Sequence, residues 1–339
     1  MKKAFRSIEA GDTLYMRGGV YETSFRGGYF ENSGTKNAPI TVTNYPGEQV
    51  EIRITEDALA RSAFFCWTEG SKPTPKADYI RIIGTDVKPV KLGNGITSEK
   101  GIVVRGVVGD TIKTAGGAWI KGDCDYWELA GIHVMDTSRG FYIRIVDQET
   151  SPDHWYIHNN RIENYYGGSG IQNNGDYTTI ENNQIYKVTN VKTTDFSCHH
   201  INLLGHHNIV RGNDLDAKGS TLGCVGILFE WDMSDYNLIE NNRIAVYGWG
   251  TYGRYLHIAG GDNNIIRKNK VIGDMDEWYT VFVPESGRTA WPCNELTEYN
   301  ARSIPPINDP SATDYEYFYE PRNCQSVGNQ FYDNVYTKQ

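Results

Sequence analysis

The sequence predicts an all-β fold, a single-stranded right-handed parallel β-helix of roughly nine to eleven rungs. Three observations predict it: a recurring motif, strand-period alternation inside each copy, and prolines kept out of the repeating region. The motif Tyr156-Ile-His-Asn-Asn-Arg-Ile162 returns as Thr179-Ile-Glu-Asn-Asn-Gln-Ile185, Ile209-Val-Arg-Gly-Asn-Asp-Leu215, Leu238-Ile-Glu-Asn-Asn-Arg-Ile244 and Ile265-Ile-Arg-Lys-Asn-Lys-Val271. With Asn160, Asn183, Asn213, Asn242 and Asn269 as markers, the steps are 23, 30, 29 and 27 residues. A fixed step in this range marks a repeat architecture.

Each copy alternates apolar and polar residues over four to six positions and then turns at Asn or Gly, which is strand periodicity. Weaker copies stand earlier, at Tyr126-Trp-Glu-Leu-Ala-Gly-Ile132 and Tyr79-Ile-Arg-Ile-Ile-Gly84, and a last one at Val327-Gly-Asn-Gln-Phe331. Between markers lies a second short strand: Gly140–Ile145, Gly170–Gln172, His200–Leu203, Gly226–Glu230, Leu256–Ile258 and Thr280–Val283. No copy holds a long amphipathic helix, so helical repeats are excluded. The corner Asn tolerates left-handed backbone and is expected to bond its neighbour in the next rung, forming an internal ladder. One proline, Pro152, lies between residues 90 and 283, whereas six of the twelve lie from Pro284 to Pro321. A stacked sheet uses every N–H, so proline marks where stacking stops. The chain therefore reads as one domain, 1–339: N-terminal rungs over 1–78, regular Asn-corner rungs over 79–283, an irregular excursion over 284–322, and a last rung with the C-terminal end over 323–339.

With 33 Lys+Arg against 42 Asp+Glu, the net charge is −9, and no basic run offsets it. Nucleic acid and anionic membrane are excluded as partners on that balance. Met1–Glu9 is too short and too charged for a secretion leader. The expected location is secreted or cell-surface, with a leader absent from this chain and the cytoplasm left open. Six cysteines, with no CxxC pair, read as free buried thiols. The alternative is one or two disulfides, led by Cys293–Cys324.

Near the N-terminus stand Ala10-Gly-Asp-Thr-Leu-Tyr-Met-Arg-Gly-Gly-Val-Tyr-Glu22 and Asn37-Ala-Pro-Ile-Thr-Val-Thr-Asn-Tyr-Pro-Gly-Glu48. These segments, with the Asn-corner repeats, resemble the secreted right-handed parallel β-helix proteins of the pectin-lyase-like superfamily, which includes many polysaccharide lyases and some glycosidases. The resemblance implies a fold and a carbohydrate partner rather than one reaction. Calcium-dependent members carry consecutive aspartates near a catalytic lysine, and this sequence has no Asp-Asp pair. No cofactor is assigned. Ca²⁺ is the ion to consider, with Asn174 and Asp176 in the turn Asn173-Asn-Gly-Asp176 as weak ligands against an ordinary Asn-Gly turn.

In a solenoid, successive outward positions stack about 4.8 Å apart, so separate rungs can build one site along a polymer. Taking Ile143, Ile171, Ile201, Ile227 and Ile258 as one inward column sets Tyr142, Arg144, Gln172, His200, Asn202, Leu228, Glu230 and His257 outward. Arg144 suits a sugar carboxylate; His200 and His257 suit acid–base work near neutral pH. Glu230 and Asp232, about 7 Å apart on one face, would serve as a glycosidase pair. Gln172, Asn202 and Tyr142 would bind substrate, with Trp231, Trp249 and Tyr255 stacking on sugar rings. His199-His200 and His206-His207 point alternately or lie in a turn, so zinc is not expected. Three functions follow: a lyase cleaving a uronate polymer by β-elimination, a glycoside hydrolase using Glu230 and Asp232, and a non-catalytic glycan-binding solenoid.

Overall fold

The computed structural model describes residues 1–23, 28–55, 61–68, 74–92, 95–106, 115–144, 151–165, 168–186, 198–217, 224–229, 234–246, 254–258, 261–273, 281–282 and 328–338. Each full turn of the chain contributes three strands. In one turn these are Tyr156–His158, Arg161–Glu163 and Gly168–Asn173, which join sheets here called A, B and C. Sheets A and B have ten strands each and sheet C has eight; within all three, neighbours are parallel. The chain is a right-handed parallel β-helix, and ten rungs are present among the described residues.

The alternation read from the sequence becomes columns of stacked apolar side chains. In sheet A, Val42, Ile82, Leu129, Ile157, Ile180, Val210, Ile239 and Ile266 are in register, and all are buried. Sheet B supplies Ile52, Val104, Val134, Ile162, Ile185, Leu215, Ile244 and Val271. β-Branched side chains suit such a column because one stiff rotamer repeats in every rung. Each fully buried Val or Ile contributes about 1.5–3 kcal/mol. A short helix, Lys2–Ser7, covers the N-terminal end and sets Phe5 edge-on against Phe30 at 5.2 Å and Phe64 at 6.4 Å.

The Asn ladder at the A–B corner runs as expected. Asn160, Asn183, Asn213, Asn242 and Asn269 each donate Nδ2 to the next Oδ1 at 3.0 Å, and Asn334 accepts from Asn269. The two duties assigned to one Asn are divided between two residues. The left-handed backbone belongs to the preceding residue: Asn159, Asn182, Gly212, Asn241, Lys268 and Asp333 have φ between 54° and 65°. The ladder residue itself is buried in every rung up to Asn269 and half-buried at Asn334. The final member is thus Asn334; Asn329 belongs to a second ladder at the C–A corner, with Asn237 and Asn264.

Two expectations are corrected. The solenoid is not continuous from residue 79, because an antiparallel hairpin, Asp86–Lys91 with Thr97–Lys100, interrupts its third rung. Four cysteines are not thiols: Cys66–Cys124 and Cys198–Cys224 are disulfides. Both link neighbouring rungs, which sequence spacings of 58 and 26 conceal. Cys293, Cys324 and the 284–322 excursion lie outside the described residues.

Candidate functional site

Sheet C carries the outward columns singled out in the sequence. The register aligns Phe65, Trp119, Tyr142, Gln172, Asn202, Leu228, His257 and Phe282 in one column. Two residues further along, Trp67, Lys121 and Arg144 align in a second. Tyr142, Gln172, Asn202 and His257 therefore do share a ladder. They do not form an open groove floor, since Tyr142, Gln172, Asn202 and Arg144 are all buried and His257 is half-buried. The strands carrying Arg144 and His257 stand four rungs apart, about 19 Å along the axis. That span is too long for both to act on one sugar.

The inward assignment needs one adjustment. Ile171, Ile201 and Ile227 stack with Phe141 and Leu256, while Ile143 and Ile258 belong to the adjacent inward column with Leu203 and Phe229. All are buried, so the single aliphatic column is in fact two.

His200 and Tyr255 are not outward, and their assignment to the groove is corrected. They occupy one register position with Gly170 and Gly226. A Cβ at Gly170 would meet Ile185 Cγ2 at 2.5 Å, and one at Gly226 would meet Ile244 Cγ2 at 2.4 Å. That position points into the core. The next residues, Ile171, Ile201 and Ile227, are in the same core, so two consecutive residues face inward and period-two parity fails. His200 is fully buried, with Nδ1 2.7 Å from Tyr165 Oη. Burial holds the Tyr165 phenol well above its usual range. Tyr255 is a core residue whose hydroxyl lies 3.0 Å from that of Tyr336. Glu230, Asp232, Trp231 and Trp249 lie outside the described residues.

The outward columns have a distinct chemistry. Arg139 stacks on the Tyr142 ring at 4.6 Å, and the Lys121 ammonium lies 5.4 Å from the Trp67 ring centre. Phe65 and Trp67 pack together at 5.8 Å. The register brings Lys121, Arg144 and His257 into columns with aromatic and amide residues. Among the described residues, no Asp or Glu occupies a position in either column.

The C–A corner holds a constellation absent from the sequence reading. Tyr79, Tyr126, His154, Tyr177, His207 and Tyr236 stack in series, with ring centroids 4.4, 4.8, 5.0, 5.1 and 5.2 Å apart. All six have φ between 54° and 59°. His207 is an exposed bend residue, as the sequence suggests, and its ring also stacks between those of Tyr177 and Tyr236. The preceding residues form a carboxylate row in which Asp78, Asp125 and Asp153 each accept the backbone N–H one rung on. An Asp-Tyr or Asp-His pair before five of the ten sheet A strands was the available signal.

The turn at Asn174 and Asp176 is largely engaged within the protein, although the buried Asn174 Nδ2 has no hydrogen-bond partner among the described residues. Asn173 Nδ2 donates to the Gly175 carbonyl at 2.8 Å, Asn174 is buried, and Asp176 Oδ1 accepts the His206 N–H at 2.6 Å. Burial raises the Asp176 carboxyl above its ordinary value. Elsewhere, Asp78, Asp123 and Asp125 gather carboxylate oxygens, but the Lys76 ammonium lies 2.5 Å from Asp123 and occupies the place of a cation. Burial lifts Asp125 to about 6 there.

No protein-family model matches the sequence, and no curated protein matches it. Among solved structures, the chain is similar to XylC in its complex with xylose, at 12% identity and a TM-score of 0.51, covering 85% of this chain and 67% of that one. Pectate lyase Pel9A is found at 12% identity and 0.46, covering 80% and 68%. A mutant of the PL6 family alginate lyase AlyGC is found at 14% identity and 0.44; the match covers 83% of this chain and 39% of that one. At 12% identity the likeness to XylC is one of fold alone.

Proposed function

We propose that the outward face of sheet C binds an anionic, uronate-containing polysaccharide and that the protein is a polysaccharide lyase. The observation that carries this reading is the set of cationic and aromatic columns, carboxylate-free among the described residues, in a chain of net charge −9. An acidic protein that keeps carboxylates off one long ladder has a face suited to an acidic polymer, because local field rather than net charge guides binding. His257 would take the C5 proton, after which the C4–O bond to the leaving sugar breaks and a C4–C5 double bond forms. Asn202 and Gln172, two and three rungs earlier and buried, would brace this face from beneath. Arg144, one rung beyond Gln172, would pair with the carboxylate of a uronate several sugars along the same polymer.

The hydrolase alternative needs a carboxylate pair at Glu230 and Asp232. The two disulfides fit an oxidising compartment and support a secreted or cell-surface location. The test is a panel of uronate polymers monitored in parallel for ultraviolet absorbance of unsaturated uronate and for reducing ends. Absorbance growing with reducing ends supports the lyase, and His257→Ala should then cost at least about 100-fold in turnover. Reducing ends without absorbance would favour hydrolysis, and binding without either would leave a glycan-binding solenoid.

A further inference from the structure

Sheet B, on another face of the solenoid, carries a hydrogen-bonded chain that the sheet C reading does not use. Ser98, on the inserted hairpin, sets its Oγ 2.9 Å from His133 Nδ1. His133 Nε2 lies 3.0 Å from Glu163 Oε1, and Arg161 holds Oε2 of the same carboxylate through Nε at 3.1 Å and Nη2 at 2.9 Å. Ser98, His133 and Glu163 are 1%, 0% and 3% exposed. Three separate segments thus converge on a buried Ser–His–Glu relay. The tautomer with its proton on Nε2 satisfies both contacts, leaving Nδ1 to accept from the serine hydroxyl. His133 and Arg161 together hold Glu163 ionised, below its ordinary range.

The serine end of this relay opens on a pocket of about 450 Å³ lined by Ser98, Lys100, Arg161, Asn182 and Gln184, among others. A nucleophile–base–orienter arrangement beside a cavity is the geometry of acyl transfer. We propose that Ser98, His133 and Glu163 form an ester-hydrolysing site for a small acyl ester of a polyhydroxylated alcohol, such as an O-acetylated sugar. Asn160, Asn182 and Gln184 in the lining suit hydroxyl groups, and the charged groups there, Asp86, Glu99, Lys100 and Arg161, are of both signs, with Lys100 paired to Asp86 at 3.0 Å. Ser98 Oγ attacks the ester carbonyl carbon as its proton passes to His133 Nδ1. The bond from that carbon to the alcohol oxygen breaks, and the alcohol leaves with the proton. Water then attacks the acyl-serine, gives a proton to His133, and releases the carboxylic acid as Ser98 takes the proton back. Ser98 and His133 are the catalytic residues; Glu163, which touches neither ester nor water, is a positioning residue.

This site is independent of sheet C, and the full chain can be tested without any polysaccharide. The probes are p-nitrophenyl acetate and a fluorophosphonate, the latter followed by peptide mass mapping. The expected result is turnover above buffer, lost at least about 100-fold in Ser98→Ala, with the phosphonate on the peptide containing Ser98. Glu163→Gln, which keeps the side-chain size, should lower turnover and move its pH profile, an effect that packing alone would not produce. Circular dichroism of each variant establishes that the β-helix is retained. Hydrolysis no faster than buffer, an unchanged rate in folded Ser98→Ala, or an adduct elsewhere would overturn the proposal and leave the relay as a latch fastening the hairpin to sheet B.

Discussion

Replacing one asparagine in the interior of the A–B ladder tests the physical account of the fold most directly. Asn213 is 1% exposed and its side chain makes five hydrogen bonds. Its Oδ1 accepts from Asn183 N at 2.9 Å and Asn183 Nδ2 at 3.0 Å. Its Nδ2 donates to the carbonyls of Ile180 at 2.9 Å and Arg211 at 3.1 Å, and to Asn242 Oδ1 at 3.0 Å. In Asn213→Ala the buried Asn183 N–H loses this acceptor, at about 1–3 kcal/mol, while the other groups keep a second partner or lose a weaker one. Asn242 Oδ1, for instance, still accepts from Asn213 N. The expected loss is therefore about 2–4 kcal/mol. Asn334 makes similar bonds from the last described rung but is only half-buried, so water can replace them. Asn334→Ala should cost less than about 1 kcal/mol. Equilibrium urea unfolding of both variants, at matched m-values, gives the comparison. Equal midpoints for the two, or an unchanged midpoint for Asn213→Ala, would refute the reasoning that burial sets the ladder's worth.

Three further outcomes are expected. His200→Ala should lower thermal stability by about 2–4 kcal/mol, because it opens a core cavity and strips the Tyr165 hydroxyl of its imidazole partner; an unchanged melting temperature would place His200 elsewhere. Cys224→Ser should cost about 3 kcal/mol by freeing a crosslink across 26 residues, and non-reducing peptide mapping should recover Cys198–Cys224 and Cys66–Cys124, with other pairings counting against the register. Asp125→Asn should stabilise the protein at about pH 7.5, with the gain vanishing by about pH 4. Burial raises the folded carboxyl to about 6 from an ordinary value of 3.8, so the folded state holds the extra proton and the native chain loses stability as pH rises through that window. Melting curves at both pH values check the sign, and a gain confined to the acid side would contradict it.

The rungs were legible because each Asn corner imposes one side chain at one place: a buried amide must meet a buried amide. The outward ladder of Tyr142, Gln172, Asn202 and His257 was legible for a similar reason, since these residues lie on straight strand where parity holds. His200 and Tyr255 misled because two consecutive inward residues cannot be read from a two-residue period. The cue was indirect, in the glycines at equivalent positions in neighbouring rungs. Cysteine pairing was hidden because proximity here depends on rung register, not on sequence distance. The aromatic corner escaped notice because Tyr and His alternate within it. Its constant feature is a flat ring in left-handed backbone, a property shared by unlike residues.

Both asparagine columns have a direction. In each, the amide nitrogen of one rung donates to the amide oxygen of the next toward the C-terminus, without reversal from Asn160 to Asn334 or from Asn237 to Asn329. Amide dipoles aligned head to tail add, as peptide dipoles do along an α-helix, and each bond polarises its neighbour. The solenoid axis is therefore a vector with two unlike poles. The acceptor pole of the longer column lies inside the solenoid, where Asn160 Oδ1 takes the Ile132 N–H, and the donor pole lies at Asn334, so the column begins within the fold and ends at its last described rung.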